Sequence, residues 1–317
     1  MVVLGGDAGG PLTGAVYWPG DDTWRTLSAA PFPEGDWRDA AVGAAWDGSA
    51  VHVVATTAPT GGSMATYEPA TDTWTTITDP LPEGTSTGGV VAWTGTRLLV
   101  VGGSGVDPAE SGRVTLAYTP GSGWARLPDA PFTVDEGQGG DRAVQHVWTP
   151  HGLLVWDDSA TGAILRRSDD GVWSWTTLDA APFAAPLDQA AVAWTGTHVV
   201  WLFGVQADGA RPAAAAAFNP VTGTWETLDP GDLGGRRGAV AVGTGGSSVF
   251  VCCGEAISRA DRGALVDASS GAWTSAPGYD GLAAHGAGAT AVWSGSQVVV
   301  WGGAATGGSA TATLFTP

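Results

Sequence analysis

A tryptophan that returns about every fifty residues is the feature that most constrains this chain. It occurs at Trp24, Trp74, Trp124, Trp175, Trp225 and Trp273. An aromatic residue stands shortly before most of these positions, and another lies near the carboxyl end, at Tyr17, Tyr67, Tyr118, Phe218 and Phe315. Recurrence at one fixed spacing predicts a small structural unit that is used many times along the chain.

Four of the units also carry the signal of a β-hairpin. A Trp-x-Gly triplet ends one apolar run and precedes another at Trp46-x-Gly48, Trp93-x-Gly95, Trp194-x-Gly196 and Trp293-x-Gly295. The second run often ends in paired glycines, as at Gly5-Gly6, Gly102-Gly103 and Gly302-Gly303, where glycine lets the backbone turn sharply. One unit therefore holds four strands, named a to d: a ends at Trp-x-Gly, b at the glycine pair, c at the aromatic, and d carries the periodic tryptophan.

Four-stranded units of this kind predict an all-β propeller, because a closed ring of blades leaves no large unprotected strand edge. The predicted units of this single domain span about residues 1–35, 36–84, 85–138, 139–186, 187–236, 237–283 and 284–317. Strands b and c occur seven times, whereas a and d occur six times each. Seven blades, with one inner and one outer strand lacking, are favoured on this count, and six blades stay open.

Composition narrows the classes of function. All 13 basic residues are arginines, so mechanisms that need a Schiff-base or phosphate-binding lysine do not apply. A formal net charge of −18 disfavours binding to nucleic acid or to anionic membrane surfaces. No apolar run has the length of a membrane span, and no signal peptide is visible, so we expect no membrane insertion. If the protein is exported, its signal lies outside this chain, and the compartment stays open.

Two segments resemble the Kelch repeat family, whose blades combine a glycine pair with a later Tyr-x-Pro and Trp. They are Tyr67-Glu68-Pro69-Ala70-Thr71-Asp72-Thr73-Trp74 and Phe218-Asn219-Pro220-Val221-Thr222-Gly223-Thr224-Trp225. The resemblance covers essentially the whole chain and implies a Kelch-type β-propeller. It implies little about chemistry, because the family includes scaffolds, sugar-active enzymes and a copper oxidase. Ser168 to Trp175 is also similar to the Asp-box turn of sialidase propellers, which is a structural element.

The copper oxidase activity is rejected for this chain. Such an oxidase needs tyrosine and histidine ligands and a cysteine that is crosslinked to a tyrosine. Three of the four tyrosines, Tyr17, Tyr67 and Tyr118, occupy the structural repeat position, and both cysteines lie on a predicted strand.

In a propeller, the b-to-c and d-to-a connections emerge on one face, here called the loop face, and we expect a binding site there. Arginines near the starts of innermost strands should approach the central channel, where paired guanidinium groups can hold a carboxylate and a tryptophan can stack on a sugar. The candidate ligand-binding residues are Trp37, Arg38, Arg142, Asp188, Arg236, Arg237 and His285. The alternative is that such loop charges are solvated and pair with each other, as do the further loop charges Arg211 and Glu255.

Other patterns carry weaker signals. The five histidines fall in different units without metal-ligand spacing, and no Gly-x-Ser-x-Gly is present, so no metal, cofactor or catalytic residue is predicted. The tryptophans of strands a and d are expected to be core residues. Cys252 and Cys253 are either two small apolar strand residues, which is favoured, or a vicinal disulfide.

Three functions fit these observations. The favoured one is a non-catalytic binding or scaffold module that meets a protein or glycan through the loop face. The second is a carbohydrate-active enzyme, such as a sugar epimerase or lyase, with arginines and carboxylates at the channel mouth. The third is one module of a larger secreted or cell-surface protein.

Overall fold

In a computed structural model of the chain, the regular elements of the described residues are β-strands. The structure describes residues 1–5, 8–32, 35–36, 41–57, 61–79, 82, 89–102, 112–134, 144–157, 161–183, 187–256, 263–276, 282, 285–304 and 311–317. In these ranges no helix is long and apolar enough to cross a membrane.

The described ranges contain thirty strands, numbered in chain order. The first fifteen are β1 (Val2–Gly5), β2 (Ala8–Gly10), β3 (Thr13–Trp18), β4 (Thr23–Thr26), β5 (Gly35–Asp36), β6 (Ala41–Trp46), β7 (Val51–Thr57), β8 (Gly61–Glu68), β9 (Thr73–Ile77), β10 (Val90–Trp93), β11 (Leu98–Val101), β12 (Thr115–Thr119), β13 (Gly123–Leu127), β14 (Gln145–Thr149) and β15 (Gly152–Trp156). The others are β16 (Gly162–Arg167), β17 (Trp173–Thr177), β18 (Ala191–Trp194), β19 (Val199–Leu202), β20 (Ala215–Asn219), β21 (Thr224–Thr227), β22 (Arg236–Arg237), β23 (Val240–Gly245), β24 (Ser248–Cys252), β25 (Glu255–Ala256), β26 (Gly263–Asp267), β27 (Trp273–Ala276), β28 (Ala287–Trp293), β29 (Val298–Ala304) and β30 (Ala312–Phe315).

The strands form a seven-bladed β-propeller, which confirms the predicted fold class and the favoured blade number. Five blades are four-stranded: β6–β9, β10–β13, β14–β17, β18–β21, and β23, β24, β26 and β27. Two are three-stranded: β1, β3 and β4 form blade 1, and β28, β29 and β30 form blade 7. Blade 1 therefore has no strand a and blade 7 no strand d among the described residues, as the strand count predicted.

The chain divides into two compact units, each with apolar clusters of its own. Residues 1–144 and 163–177 form the first unit, and residues 145–162 and 178–317 form the second. In the first unit, Val16 and Phe32 of blade 1 pack with Val53 and Tyr67 of blade 2. In the second, β19 and β20 of blade 5 pack on β24 and β26 of blade 6. Burial of each large apolar side chain stabilises these contacts by about 1.5–3 kcal/mol, so consecutive blades are held by their apolar faces.

The turn from strand c to strand d needs a left-handed residue five positions after the aromatic, and the sequence supplies it in two ways. Where the aromatic is Tyr67, the position holds Asp72 (φ 57°), whose carboxylate accepts a hydrogen bond from the tyrosine hydroxyl at 2.7 Å. Where it is Phe218, which has no hydroxyl, the position holds Gly223 (φ 73°). Tyr17 and Asp22 repeat the first solution. The repeat therefore conserves a backbone shape with matched pairs of residues.

Four of the periodic tryptophans join consecutive blades through their indole N–H groups. Each of these four donates to a backbone carbonyl that lies more than forty residues earlier, in the preceding blade: Trp74 to Ser28 at 3.0 Å, Trp175 to Pro128 at 3.0 Å, Trp225 to Asp179 at 3.0 Å and Trp273 to Asp229 at 2.6 Å. Because the indole must reach the strand edge to do this, these rings are only partly buried.

The prediction that the strand a and strand d tryptophans are core residues is therefore wrong in part. Trp24 is 40% exposed and Trp46 is 53% exposed. The fully buried tryptophans are Trp156 and Trp201, which belong to strands b of blades 4 and 5. Both lie in the second unit, where their rings contact each other edge-on with the centroids 5.0 Å apart.

Candidate functional site

The candidate site lies where strands a and b of blade 6 continue past the blade into the loop face. β22 pairs with β25, and Arg237 lies opposite Glu255. This pairing keeps the register of β23 and β24, where Val240 lies opposite Cys252. Blade 5 repeats the arrangement with an isolated bridge between Asp188 and Val205. The ladder thus resumes on the loop face after a short interruption.

The interruption is made of left-handed residues at the position of the glycine pair. Blade 7 has Gly302 (φ 71°) and Gly303 (φ 86°) there, whereas blade 5 has Phe203 (φ 61°) and Gly204 (φ 122°). Blade 6 has Cys253 (φ 65°) and Gly254 (φ 78°). A left-handed backbone costs a residue with a side chain about 1–2 kcal/mol, so the surroundings must hold Phe203 and Cys253 in place.

Cys252 and Cys253 form a vicinal disulfide. The favoured interpretation, two unpaired apolar residues, is therefore wrong. Both side chains are fully buried, as the strand position predicted. The bond joins the last residue of β24 to the left-handed residue that follows it, and this contact depends on a backbone turn that adjacent cysteines in a straight strand do not have.

Arg236 is fully buried beside the disulfide. Its Nη1 donates to the carbonyl of Cys253 at 3.0 Å and its Nη2 to the carbonyl of Leu233 at 2.5 Å. The guanidinium carbon lies 5.6 Å from the ring centroid of Phe203, within the range of a cation–π contact. Arg236 therefore ties the turns of blades 5 and 6 together. Ligand binding by this side chain stays a prediction, and the observed contacts are structural.

Two arginines converge on one carboxylate at the surface of this region. Arg237 Nη2 lies 2.9 Å from Glu255 Oε2, and Arg211 Nη2 lies 3.1 Å from the same oxygen. Arg211 also donates from Nη1 to the backbone carbonyl of Glu255 at 3.1 Å. The three side chains are 22%, 39% and 45% exposed for Arg211, Arg237 and Glu255, so solvent reaches all of them. We call this group the Arg211–Glu255–Arg237 cluster; it has a formal charge of +1 in a chain of net charge −18.

Two glycines allow the backbone segments of the cluster to approach each other. A Cβ at Gly235 would lie 1.7 Å from the carbonyl oxygen of Arg211, so only glycine fits there. A Cβ at Gly254 would lie 2.6 Å from the carbonyl oxygen of Arg237. The close packing at Gly254 fixes the main chain before Glu255, and that at Gly235 places Arg211, from the b-to-c connection of blade 5, against blade 6.

Asp188 belongs to the same neighbourhood. Its amide donates to Val205 at 2.9 Å, and the carbonyl of the next residue, Gln189, accepts from Gly238 at 3.0 Å. Since Gly238 follows Arg237, the backbone brings three predicted site residues, Asp188, Arg236 and Arg237, into one region.

His285 lies elsewhere, in blade 7. Its ring is buried, with Nδ1 2.6 Å from the carbonyl oxygen of Gly302 and Nε2 2.9 Å from the hydroxyl of Thr313. A carbonyl can only accept, so Nδ1 carries the proton in the first of these bonds. The ring thus holds the glycine pair of blade 7, and ligand binding by His285 stays a prediction. The other predicted residues, Trp37, Arg38 and Arg142, lie outside the described residues.

The candidate ligand-binding residues predicted from the sequence do not include Arg211 or Glu255. The sequence places both among the charges of b-to-c connections, but these belong to different blades and are 44 positions apart. The available signal was the presence of an arginine and a carboxylate in equivalent connections of consecutive blades. Among the described residues, no group of three or more histidine, cysteine, aspartate or glutamate side chains is arranged to hold a metal ion.

Comparisons with known proteins address the fold. No family model matches the chain, and no curated protein matches its sequence. The solved structure of a protein named YjhT is similar, with a TM-score of 0.57 and 13% sequence identity over 86% of this chain and 96% of that one. At this identity the likeness shows the fold alone, and it agrees with the blade topology in placing the chain among the β-propellers.

Proposed function

We propose that this propeller is a binding module that recognises a protein or glycan through its loop face. The observation that carries the proposal is the Arg211–Glu255–Arg237 cluster, in which side chains from two blades meet at a solvent-accessible surface. The surrounding backbone is fixed by the β22–β25 ladder and by Gly235. Binding sites gain affinity from groups that are held in place before the ligand arrives, and this cluster meets that condition.

The charge pattern supports a ligand with a carboxylate or several hydroxyl groups. Guanidinium groups bind carboxylates through paired hydrogen bonds, and carboxylates accept hydrogen bonds from sugar hydroxyls. The cluster offers guanidinium groups and a carboxylate side by side, with nitrogen to oxygen distances of 2.9 and 3.1 Å. We also propose that the chain is a Kelch-type propeller; the left-handed backbone at Gly302 and Gly303, where the Kelch glycine pair is expected, supports this.

The test is a glycan-array and pull-down screen of the intact protein, followed by affinity measurements on the best ligand with two variants. Arg237→Ala removes one arm of the cluster and should weaken binding about tenfold or more, as expected for a lost hydrogen bond to a charged group. Arg126→Ala makes the same change of charge on β13, where Arg126 pairs with Asp129 and is 49% exposed, and should leave the affinity unchanged.

Equal affinities of the two variants would overturn the proposed site. Turnover of a sugar by the purified protein would instead favour the alternative of a carbohydrate-active enzyme.

A further inference from the structure

The vicinal disulfide includes a residue, Cys253 (φ 65°), whose left-handed backbone is unfavourable for cysteine. At the equivalent position, blade 3 has Gly102 (φ 85°), which follows β11, and blade 7 has Gly302 (φ 71°), which lies within β29. In blade 5 it is Phe203, which is fully buried and lies 6.2 Å from the ring of Trp273. Packing thus holds the left-handed backbone in blade 5. In blade 6, the covalent bond to Cys252 is available for that purpose.

A disulfide between adjacent residues closes a small ring that contains the peptide bond between them. The eight-membered ring contains the N–Cα bond of Cys253, so its closure limits φ at this residue, which otherwise prefers the extended and right-handed regions because it has a Cβ. The bond therefore favours the observed left-handed turn. Breaking it would return that preference to Cys253 and would leave Gly254, which follows, free to move with it.

Glu255 is the next residue after this turn, and its position depends on it. The carbonyl of Cys253 accepts from Arg236, and Glu255 is paired with Arg237 in the β22–β25 ladder. That ladder is only two residue pairs long, so few hydrogen bonds resist a change of conformation at Cys253. Glu255 in turn holds Arg211 through both its side chain and its carbonyl.

We propose that Cys252 and Cys253 are a redox switch that sets the geometry of the Arg211–Glu255–Arg237 cluster. A small or protein dithiol is the reductant: its thiolate attacks one sulfur, the S–S bond breaks, and two electrons and two protons pass to the cysteines as the reductant becomes a disulfide. In the oxidised form the turn is held and the cluster is assembled. In the reduced form Cys253 leaves the left-handed region, the β22–β25 pairing loosens, and Arg211 and Arg237 separate from Glu255.

Both sulfurs are buried, so the reductant reaches them only when the turn opens. Local opening of a short ladder requires far less free energy than global unfolding. Reduction should accordingly proceed in the native protein without denaturant, at a rate set by this opening.

The experiment is hydrogen-exchange mass spectrometry of the full chain before and after treatment with dithiothreitol, with alkylation by iodoacetamide to count the thiols released. We expect two alkylated cysteines under native conditions. We also expect amide exchange about tenfold faster in residues 236–239 and 253–256, in line with the cost of a left-handed conformation. Residues 98–102 of blade 3 are the internal control, because Gly102 (φ 85°) follows strand b there in the same left-handed conformation without a disulfide, and their exchange should not change. Failure to release thiols without denaturant, or exchange that does not change in residues 253–256, would overturn the proposal.

Two variants at one position separate the role of the bond from that of the residue. Cys253→Gly restores the glycine pair of blade 7, so it should keep the slow exchange of residues 236–239 and lose all response to dithiothreitol. Cys253→Ala removes the bond but keeps a Cβ in the left-handed region, so it should resemble the reduced protein, with a melting temperature about 2–5 °C below that of Cys253→Gly. Equal exchange in the two variants would contradict the proposed constraint.

The regulatory consequence rests on the proposed function, since it requires a ligand at the cluster. Once the screen has provided one, reduction should weaken its binding to the wild-type protein and leave binding to Cys253→Gly unchanged. Hydrogen exchange reports on the switch without any ligand. A failed ligand screen would therefore sink the proposed function alone, whereas a failed exchange experiment would sink the switch alone.

Discussion

At the scale of single residues, the left-handed residue of a c-to-d turn is matched to the aromatic residue five positions before it. Asp72 (φ 57°) accepts the hydroxyl of Tyr67 and also the amide of Ser28 at 3.1 Å, whereas Gly223 (φ 73°) follows Phe218. Burial, followed by the hydrogen bond to Asp72, raises the pKa of Tyr67 to about 12. The tyrosine thus stays a hydrogen-bond donor over the whole physiological range.

The contributions of Tyr67 and Asp72 to stability should be coupled, and replacing both residues together tests this. Tyr67→Phe removes the buried hydroxyl bond and should lower the free energy of unfolding by about 1 kcal/mol. Asp72→Gly removes the acceptor but relaxes the backbone. The double variant, which recreates the natural Phe218 and Gly223 pair, should lose less stability than the sum of the single changes. Urea titrations of the four proteins complete the cycle. Additive losses would show that the tyrosine and the aspartate act independently.

At the scale of elements, four of the strands d are joined to the preceding blade by one indole hydrogen bond each. Trp225 donates to Asp179, and its ring also contacts Phe218 at 5.0 Å and Trp156 at 6.1 Å. The bond connects blades that are otherwise held by apolar contacts, so it adds a directional constraint to a non-directional one.

Trp225→Phe should therefore destabilise the protein by about 1–2 kcal/mol, because the indole donor and part of the ring are lost. Trp46→Phe provides the matched control: Trp46 is 53% exposed, and the same substitution should change stability by less than about 0.5 kcal/mol. The melting temperatures of both variants test this. A loss at Trp46 as large as that at Trp225 would refute the assigned role of the indole bond.

At the scale of the whole molecule, the free energy of unfolding should decrease in acid. The aspartates responsible lie in turns at the end of the blades opposite the loop face. Burial raises the pKa of Asp47, but hydrogen bonds from the amides of Ala50 and Ser49 and from His52 outweigh it and lower the pKa to about 2. The pKa values of Asp72, Asp170 and Asp267, in c-to-d turns, are also lowered, chiefly by side-chain hydrogen bonds from Tyr67, Ser168 and Ser247.

A carboxylate whose pKa is lower in the folded state binds fewer protons there than in the unfolded state, so its contribution is present at neutral pH and is lost in acid. For Asp47 the loss falls between its ordinary pKa of 3.8 and about 2. Unfolding measured by urea at pH 7 and at pH 2.5 should show a marked decrease for the wild type and a smaller decrease for Asp47→Asn. Identical decreases would show that Asp47 does not contribute to acid sensitivity.

Much of the architecture could be predicted from the sequence, because its determinants are local. A glycine, an aromatic residue and a tryptophan at fixed offsets specify turns and strand faces within one blade, and each blade repeats them. The lack of strand a in blade 1 and of strand d in blade 7 followed from the same count. The burial of the periodic tryptophans did not follow, since it depends on where the neighbouring strand edge lies.

The sequence by itself determined the blade and its repetition, because residues close in the chain decide these features. Only the tertiary structure decided that Arg211 meets Glu255 and that Cys253 turns back to bond with Cys252. The first contact depends on how consecutive blades pack, and the second on a left-handed turn that is stabilised by Arg236 and the neighbouring blade. Neither condition leaves a local pattern, so neither could be derived without the fold.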